Sequence, residues 1–211
     1  MKTTTTRPTL PEEEERRFFR IWWSLLGFVN EKRRLVPDWP KEPDSGGVVH
    51  ADADKLRAAL WRDDALRESF IAVNPAGLSE RDLGIVASWT RRIGKSFLVV
   101  RHLKGHSVFL DEGSPPRSYG VCGLHDPIET VVGSHLPVAV EAVLLPFEGR
   151  IVYDGLMKLY SVAFGPGMRE NITAAYRAAR EAGGIVTSLE EPADGCNGSR
   201  GARTQLVREA P

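Results

Sequence analysis

The hydrophobic positions of this chain change their period near residue 94, and the change divides the sequence in two. Before it, apolar residues recur at helical intervals. Phe18, Trp22, Leu25 and Val29 fall on one stripe and Phe19, Trp23 and Leu26 on its neighbour, which predicts a helix with a wide apolar face. Its opening, Glu12 to Glu15 followed by Arg16 and Arg17, suits the helix dipole and sets up Glu12/Arg16 and Glu13/Arg17 pairs. Such a face must be covered, by the chain's own core or by a partner or homodimer interface, where aromatics are enriched. Leu56, Leu60, Leu66, Phe70 and Ile71 predict a second helix from Asp52 to Asn74, with a break at Asp63-Asp64. Ser79 to Asp82 reads as a capping box for a third helix carrying Leu83, Val86, Trp89 and Ile93. Gly94 is then expected at its left-handed C-terminal position.

Beyond Gly94 the period is that of strands. Ser96–His102 and His106–Leu110 predict a hairpin around Lys104-Gly105, and Tyr119–Leu124 predicts a third strand. Asp126-Pro127-Ile128-Glu129 opens a short helix that Gly133 ends. Val138–Leu145 is almost continuously apolar, which places it centrally in its sheet. Glu148-Gly149 turns it into Arg150–Asp154, with a further strand expected over Leu159–Phe164. A closing helix over Met168–Ala182 and a last strand over Ile185–Leu189 complete the pattern. The reading is α+β: N-terminal helices packed on a strongly bent, mostly antiparallel sheet or small barrel, with a closing C-terminal helix. Residues 1–10 are expected to be disordered, 11–94 to form a helical subdomain, 95–189 the sheet of the same domain, and 190–211 a mobile tail. Pro37, Pro40, Pro43 and Ser45-Gly46-Gly47 form a linker inside the helical part.

Composition narrows the partners. Among 211 residues, 28 basic and 28 acidic side chains cancel, so no global charge steers the chain to nucleic acid or an anionic membrane. Phe18–Val29 is too short to span a bilayer and contains Arg20, and the N-terminus has no apolar signal region. A cytoplasmic location with no membrane contact is expected. The two cysteines, Cys122 and Cys196, cannot build a four-cysteine zinc site.

Two apparent signals in the stretch 90–113 fail on chemistry. Gly94-Lys95-Ser96 ends like a phosphate loop, but Trp89 stands where the first glycine belongs, and a strand rather than a helix start follows. His102 and His106 leave a divalent ion short of ligands. Cys122 and His125 lie three apart at a strand end, a poor placement for a thiolate–imidazole pair. No serine has a G-x-S-x-G context. No cofactor or metal is expected. The remaining candidates are carboxylates. Glu141 interrupts an apolar strand, and with a two-residue turn at Glu148-Gly149 Phe147 opposes Arg150 and Val143 opposes Asp154. Glu141 and Asp154 then become diagonal neighbours on one face, and such a pair supports acid–base chemistry if its two pKa values are driven apart. The alternative role for Glu141 is a solvated or arginine-paired side chain that fixes the sheet. Arg91, Arg92, Lys95, Arg101 and Lys104 cluster in sequence as a basic surface that could track phosphates.

The runs LPVAVEAVLLPFEGRIVYDGL, SYGVCGLHDPIETVVG and GGIVTSL, with FFRIWWSLLGFVNEK and NPAGLS, resemble a bacterial domain family of unassigned function across residues 15 to 190. Such domains are associated with a cysteine-rich, zinc-binding SEC-C tail. Here the tail keeps only Cys196 of that pattern, so the resemblance implies a domain outline and neither zinc nor catalytic residues. The function expected is a cytoplasmic binding or interaction module, with a protein partner foremost. The alternatives are a hydrolase-like enzyme using Glu141 and Asp154, and nucleic-acid binding through the basic hairpin.

Overall fold

The acidic opening forms α1 (Glu12–Arg33), which ends where Arg34 turns left-handed at φ 52° and its N–H donates to the Asn30 carbonyl. This is a computed structural model, and it describes residues 9–37, 39–40 and 50–189. The break expected at Asp63 separates α2 (His50–Arg62) from α3 (Asp64–Val73), because the Asp63 carboxylate accepts from the Ala65 N–H, a distance of 3.1 Å. Ser79 likewise caps α4 (Glu80–Ser88), its Oγ accepting from the Asp82 N–H at 3.2 Å. The third helix stops earlier than its apolar period implied. A single 3₁₀ turn, Trp89–Arg91, follows it, and Gly94 lies inside β1 (Ile93–His102), opposite Val143. Gly94 is therefore not a helix stop. A β-carbon there would stand 3.3 Å from Val143 Cγ2, so glycine permits close strand approach.

The strands close on themselves. β1 pairs antiparallel with β2 (Ser107–Asp111) and with β4 (Val138–Phe147). β2 pairs antiparallel with β3 (Ser118–Cys122), and β4 with β5 (Arg150–Tyr160). A parallel pairing of β3 with β5, Val121 to Ile151 and Cys122 to Val152, completes a ring in the order β1-β2-β3-β5-β4. The helix α5 (Ile128–Val132) lies in the β3–β4 connection. This is a Greek-key ring with OB-type connectivity, made irregular by register shifts at Val99/Arg101 and Ala142/Leu144. The closing helix α6 (Pro166–Gly183) leads into β6 (Ile185–Val186), which joins β3 in parallel. Two expectations need correction here. Residues 159–160 finish β5 and 161–165 form no strand, because β5 stays paired with β4 as far as Tyr160 opposite Ala139. The last strand is two residues long rather than five.

The main core joins helices and ring into one unit. Phe18 meets Phe147 edge-to-face at 5.4 Å, Trp22 stacks on Trp61 at 5.6 Å, and the Trp89 indole N–H donates to the Pro146 carbonyl. The aromatic face of α1 is thus used inside the chain, which removes the sequence-based reason for a homodimer. Inside the ring, Phe97 meets both Phe109 and Tyr119 edge-to-face. A second, smaller core lies apart from it, where Tyr176 and Ala179 of α6 cover Val108 and Leu110 of β2. Thr9 and Leu10, expected in a disordered terminus, are held instead. Leu10 is buried and its N–H donates to the Gly123 carbonyl at 3.1 Å. Residues 1–8, the centre of the predicted linker and the tail with Cys196 lie outside the described residues. Among the described residues, no helix is long and apolar enough to cross a membrane.

Candidate functional site

The turn at Glu148-Gly149 has the predicted register, with Phe147 opposite Arg150 and Leu144 opposite Tyr153. Beyond that point the expectation fails. Ala142 faces Met157, so β5 carries two more residues than β4 between these pairs, and Val143 does not oppose Asp154. The two carboxylates have different environments as a result. Asp154 is fully buried, and its Oδ2 accepts from Arg57 Nε at 2.5 Å and from the Trp61 indole N–H at 2.9 Å. Glu141 is exposed, opposite Lys158, and its Oε2 accepts from the Tyr160 hydroxyl at 2.6 Å.

Burial pushes the Asp154 carboxyl upward, against the opposing pull of Arg57. For Arg57, burial lowers its pKa, but the attraction and hydrogen bond of Asp154 outweigh this and raise it. Contact geometry decides for the ionised pair, since guanidinium does not give up its proton in proteins and a second donor, Trp61, also serves the carboxylate. Asp154 is thus a structural counter-ion that ties α2 to β5.

A cavity of about 470 Å³ opens beside this pair, between α2, α5 and the far half of β5. Asp54, Arg57, Glu141 and Lys158 supply charge of both signs, and Val131, Leu156 and Met157 an apolar wall. Asp154 does not line it. One member of the predicted pair therefore faces the cavity, while the other is covered by Arg57 and Trp61. Acid–base work by the two in concert has no shared reacting volume here.

The other sequence candidates are occupied by neighbours. Lys95 donates to Asp111 Oδ2 at 2.6 Å, within strand β1 rather than a phosphate loop. His102 uses both ring nitrogens, on Ser107 Oγ at 2.8 Å and the Gly133 carbonyl at 3.1 Å. The His106 ring packs over Gly120, and its burial lowers its pKa. His125 bonds to Glu15 at 2.9 Å, while burial pushes the Cys122 thiol upward, so they form no nucleophilic pair. Among the described residues, no group of three or more His, Cys, Asp and Glu side chains could hold a metal ion.

The basic surface is divided too. Arg91 donates to the Leu189 carbonyl, and Arg92 pairs with Asp64 and lies over the Trp61 ring. Arg101 and Lys104 are exposed near the hairpin end of β1. The side chains that position the site, Arg57, Trp61, Lys158 and Tyr160, were not singled out by the sequence reading. Only α2's placement beside β5 gives them a role, and nothing in their local pattern announces it. Comparison with family models, with curated proteins and with solved structures finds no match for the chain.

Proposed function

We propose that this chain is a binding module, with a protein partner foremost, and that it has no catalytic machinery of its own. The observation that supports this reading is the separation of Glu141 from Asp154. The one carboxylate able to reach solvent is bonded to a tyrosine hydroxyl, and the other is a buried counter-ion. An acid–base pair needs two titrating groups facing one substrate, and this geometry supplies one. The cavity beside Arg57 instead offers both charge signs over an apolar wall, an arrangement suited to recognising a side-chain cluster or a small amphipathic ligand. The test is turnover on panels of ester, phosphoester and glycoside substrates, comparing the chain with E141Q. No saturable turnover is expected. Turnover that saturates and is lost in E141Q would overturn the reading.

Nucleic-acid binding is favoured by one observation, the OB-type connectivity. Folds of this kind bind oligonucleotides across strands 2 and 3 and the loops between strands 1–2 and 4–5. Here α6 covers Val108 and Leu110 of β2. The 4–5 loop is also taken up by helices, because Glu148 accepts from Arg17 and Arg81 at 2.7 and 2.6 Å. The usual surface is thus filled by the chain itself, which is why this reading stands second.

A further inference from the structure

About half of the described arginines are matched by an acid. Arg17, Arg20, Arg57, Arg81, Arg92 and Arg150 each stand within ion-pair distance of a carboxylate. Among those without an acid, three converge on one groove. Arg101 from the end of β1, with Arg177 and Arg180 from α6, lines a groove of about 380 Å³ together with Thr173, Tyr176 and Glu181. Among the described residues none of these three arginines has a carboxylate within ion-pair distance.

Packing explains the arrangement in part only, because it places the cations without neutralising them. Tyr176 is buried, and the Arg101 and Arg180 guanidinium carbons each lie 5.9 Å from its ring centre. The ring gives each cation a weak cation–π contact and no counter-charge. Arg177 and Arg180 are three apart on one helix, where like charges disfavour the helix. The negative end of the α6 dipole eases Arg180 in the last turn. It does nothing for Arg101, which belongs to a strand, and Glu181 is the single acid set against three guanidiniums. The groove continues towards Arg169 at the start of α6, whose guanidinium is already taken up by the Phe164 and Leu136 carbonyls at 3.0 and 2.9 Å.

We infer that the groove between α6 and the end of β1 is a binding site for a small anion carrying phosphoryl groups, held by Arg101, Arg177 and Arg180. Guanidinium forks match phosphate oxygens in pairs. Three of them outnumber the two oxygens and single charge of a carboxylate, and suit a diphosphate. Thr173 adds a hydroxyl at the same groove, though its Oγ1 already donates to the Arg169 carbonyl and so offers only acceptor capacity. Exposed aromatic rings for base stacking are missing from the lining, since Tyr176 lies under the arginines, and this favours a small anion over a single-stranded nucleic acid. The site lies on α6 and goes beyond the binding-module reading, which concerns the Glu141 side of the ring; either can fail without the other.

The experiment is titration calorimetry of the full chain with inorganic pyrophosphate at low ionic strength. It is repeated with R177A, with R101A/R180A, with R177K, and with R62A as an exposed control outside the groove. Saturable binding is expected for the parent chain and R62A. R177A weakens it about ten-fold or more, the equivalent of about 1.4 kcal/mol, and R177K retains part of it. All four variants alter exposed side chains, so circular dichroism should show the parent fold. No saturation by the parent chain, or an affinity in R177A and R101A/R180A equal to the parent's, overturns the assignment. An oligothymidylate forms the second arm. If it binds through these arginines and pyrophosphate does not displace it, the ligand is a nucleic-acid backbone and the small-anion site is refuted.

Discussion

Replacing Asp154 with asparagine isolates the contact that decides how this molecule is built. The carboxylate is fully buried and Arg57's side chain is only 12% exposed, so solvent screens the pair weakly. The amide keeps an oxygen for the Trp61 indole but loses the charge that Arg57 meets at 2.5 Å. A charge-assisted hydrogen bond contributes about 1.5–3 kcal/mol, and stranding a buried charge costs about 3–5 kcal/mol. Arg57 is not wholly stranded, because Asp54 stands 3.1 Å away, but that acid is 63% exposed and compensates only in part. The expected loss is about 2–4 kcal/mol, or a fall in Tm of about 5–15 °C for a chain of this size. Urea unfolding read by tryptophan emission is the suitable assay, because Trp61 stacks on Trp22 and borders Trp89. Arg57→Met and the double variant complete a cycle. The double should cost less than the two singles added, by about 1–3 kcal/mol. A D154N chain within about 0.5 kcal/mol of the parent would refute the structural role and return Asp154 to the functional candidates.

Two further outcomes follow from side chains held at close quarters. A β-carbon at Gly120 would lie 2.7 Å from His106 Cδ2 and 2.9 Å from its Cγ, so Gly120→Ala should cost about 1–3 kcal/mol in urea unfolding, and H106A should recover most of it. At Asp111, burial works against ionisation, but the Lys95 ammonium and the N–H groups of Arg117 and Gly113 outweigh it and hold the carboxyl below 3.8, the value it has in an unfolded chain. The stabilisation is therefore complete above that value and is lost as pH falls through the lower folded one. K95M should flatten this part of the acid limb relative to the parent, read as urea midpoints against pH, and an unchanged difference between the two chains would contradict it.

The sequence carried the local chemistry of the fold well and its closure poorly. Asp63, Ser79 and Glu148-Gly149 act through their own neighbours, so caps, a helix break and a turn register were readable from them. Gly94 misled because glycine serves both a helix end and a close strand pair, and only the Val143 contact across the sheet separates the two. The parallel pairing of β3 with β5 links residues about thirty apart and leaves no period in the chain. For the carboxylates, strand alternation predicted one face, but the extra length of β5 around Gly155 has no sequence signature before β4 is laid beside it. The arginine groove was half legible. Arg169, Thr173 and Arg177 fall at four-residue steps on the closing helix, while Arg101 joins them only because α6 lies across β1 and β2.

Ring closure also limits how another molecule can approach. A sheet with a free margin can lend its backbone to a foreign strand, and proteins with such margins recruit partners, or aggregate, by extending the ladder. Here the first and last members of the ladder have been joined, and the one strand outside the ring, Ile185–Val186, is a two-residue stub. Among the described residues, the margin that remains is the far half of β5, where Met157–Tyr160 pair with β4 on one side and the pairing with β3 has ended at Val152. A foreign strand has that short stretch alone to extend, and everywhere else on the ring recognition falls to side chains, so selectivity there is set residue by residue and point substitution is the instrument that maps it.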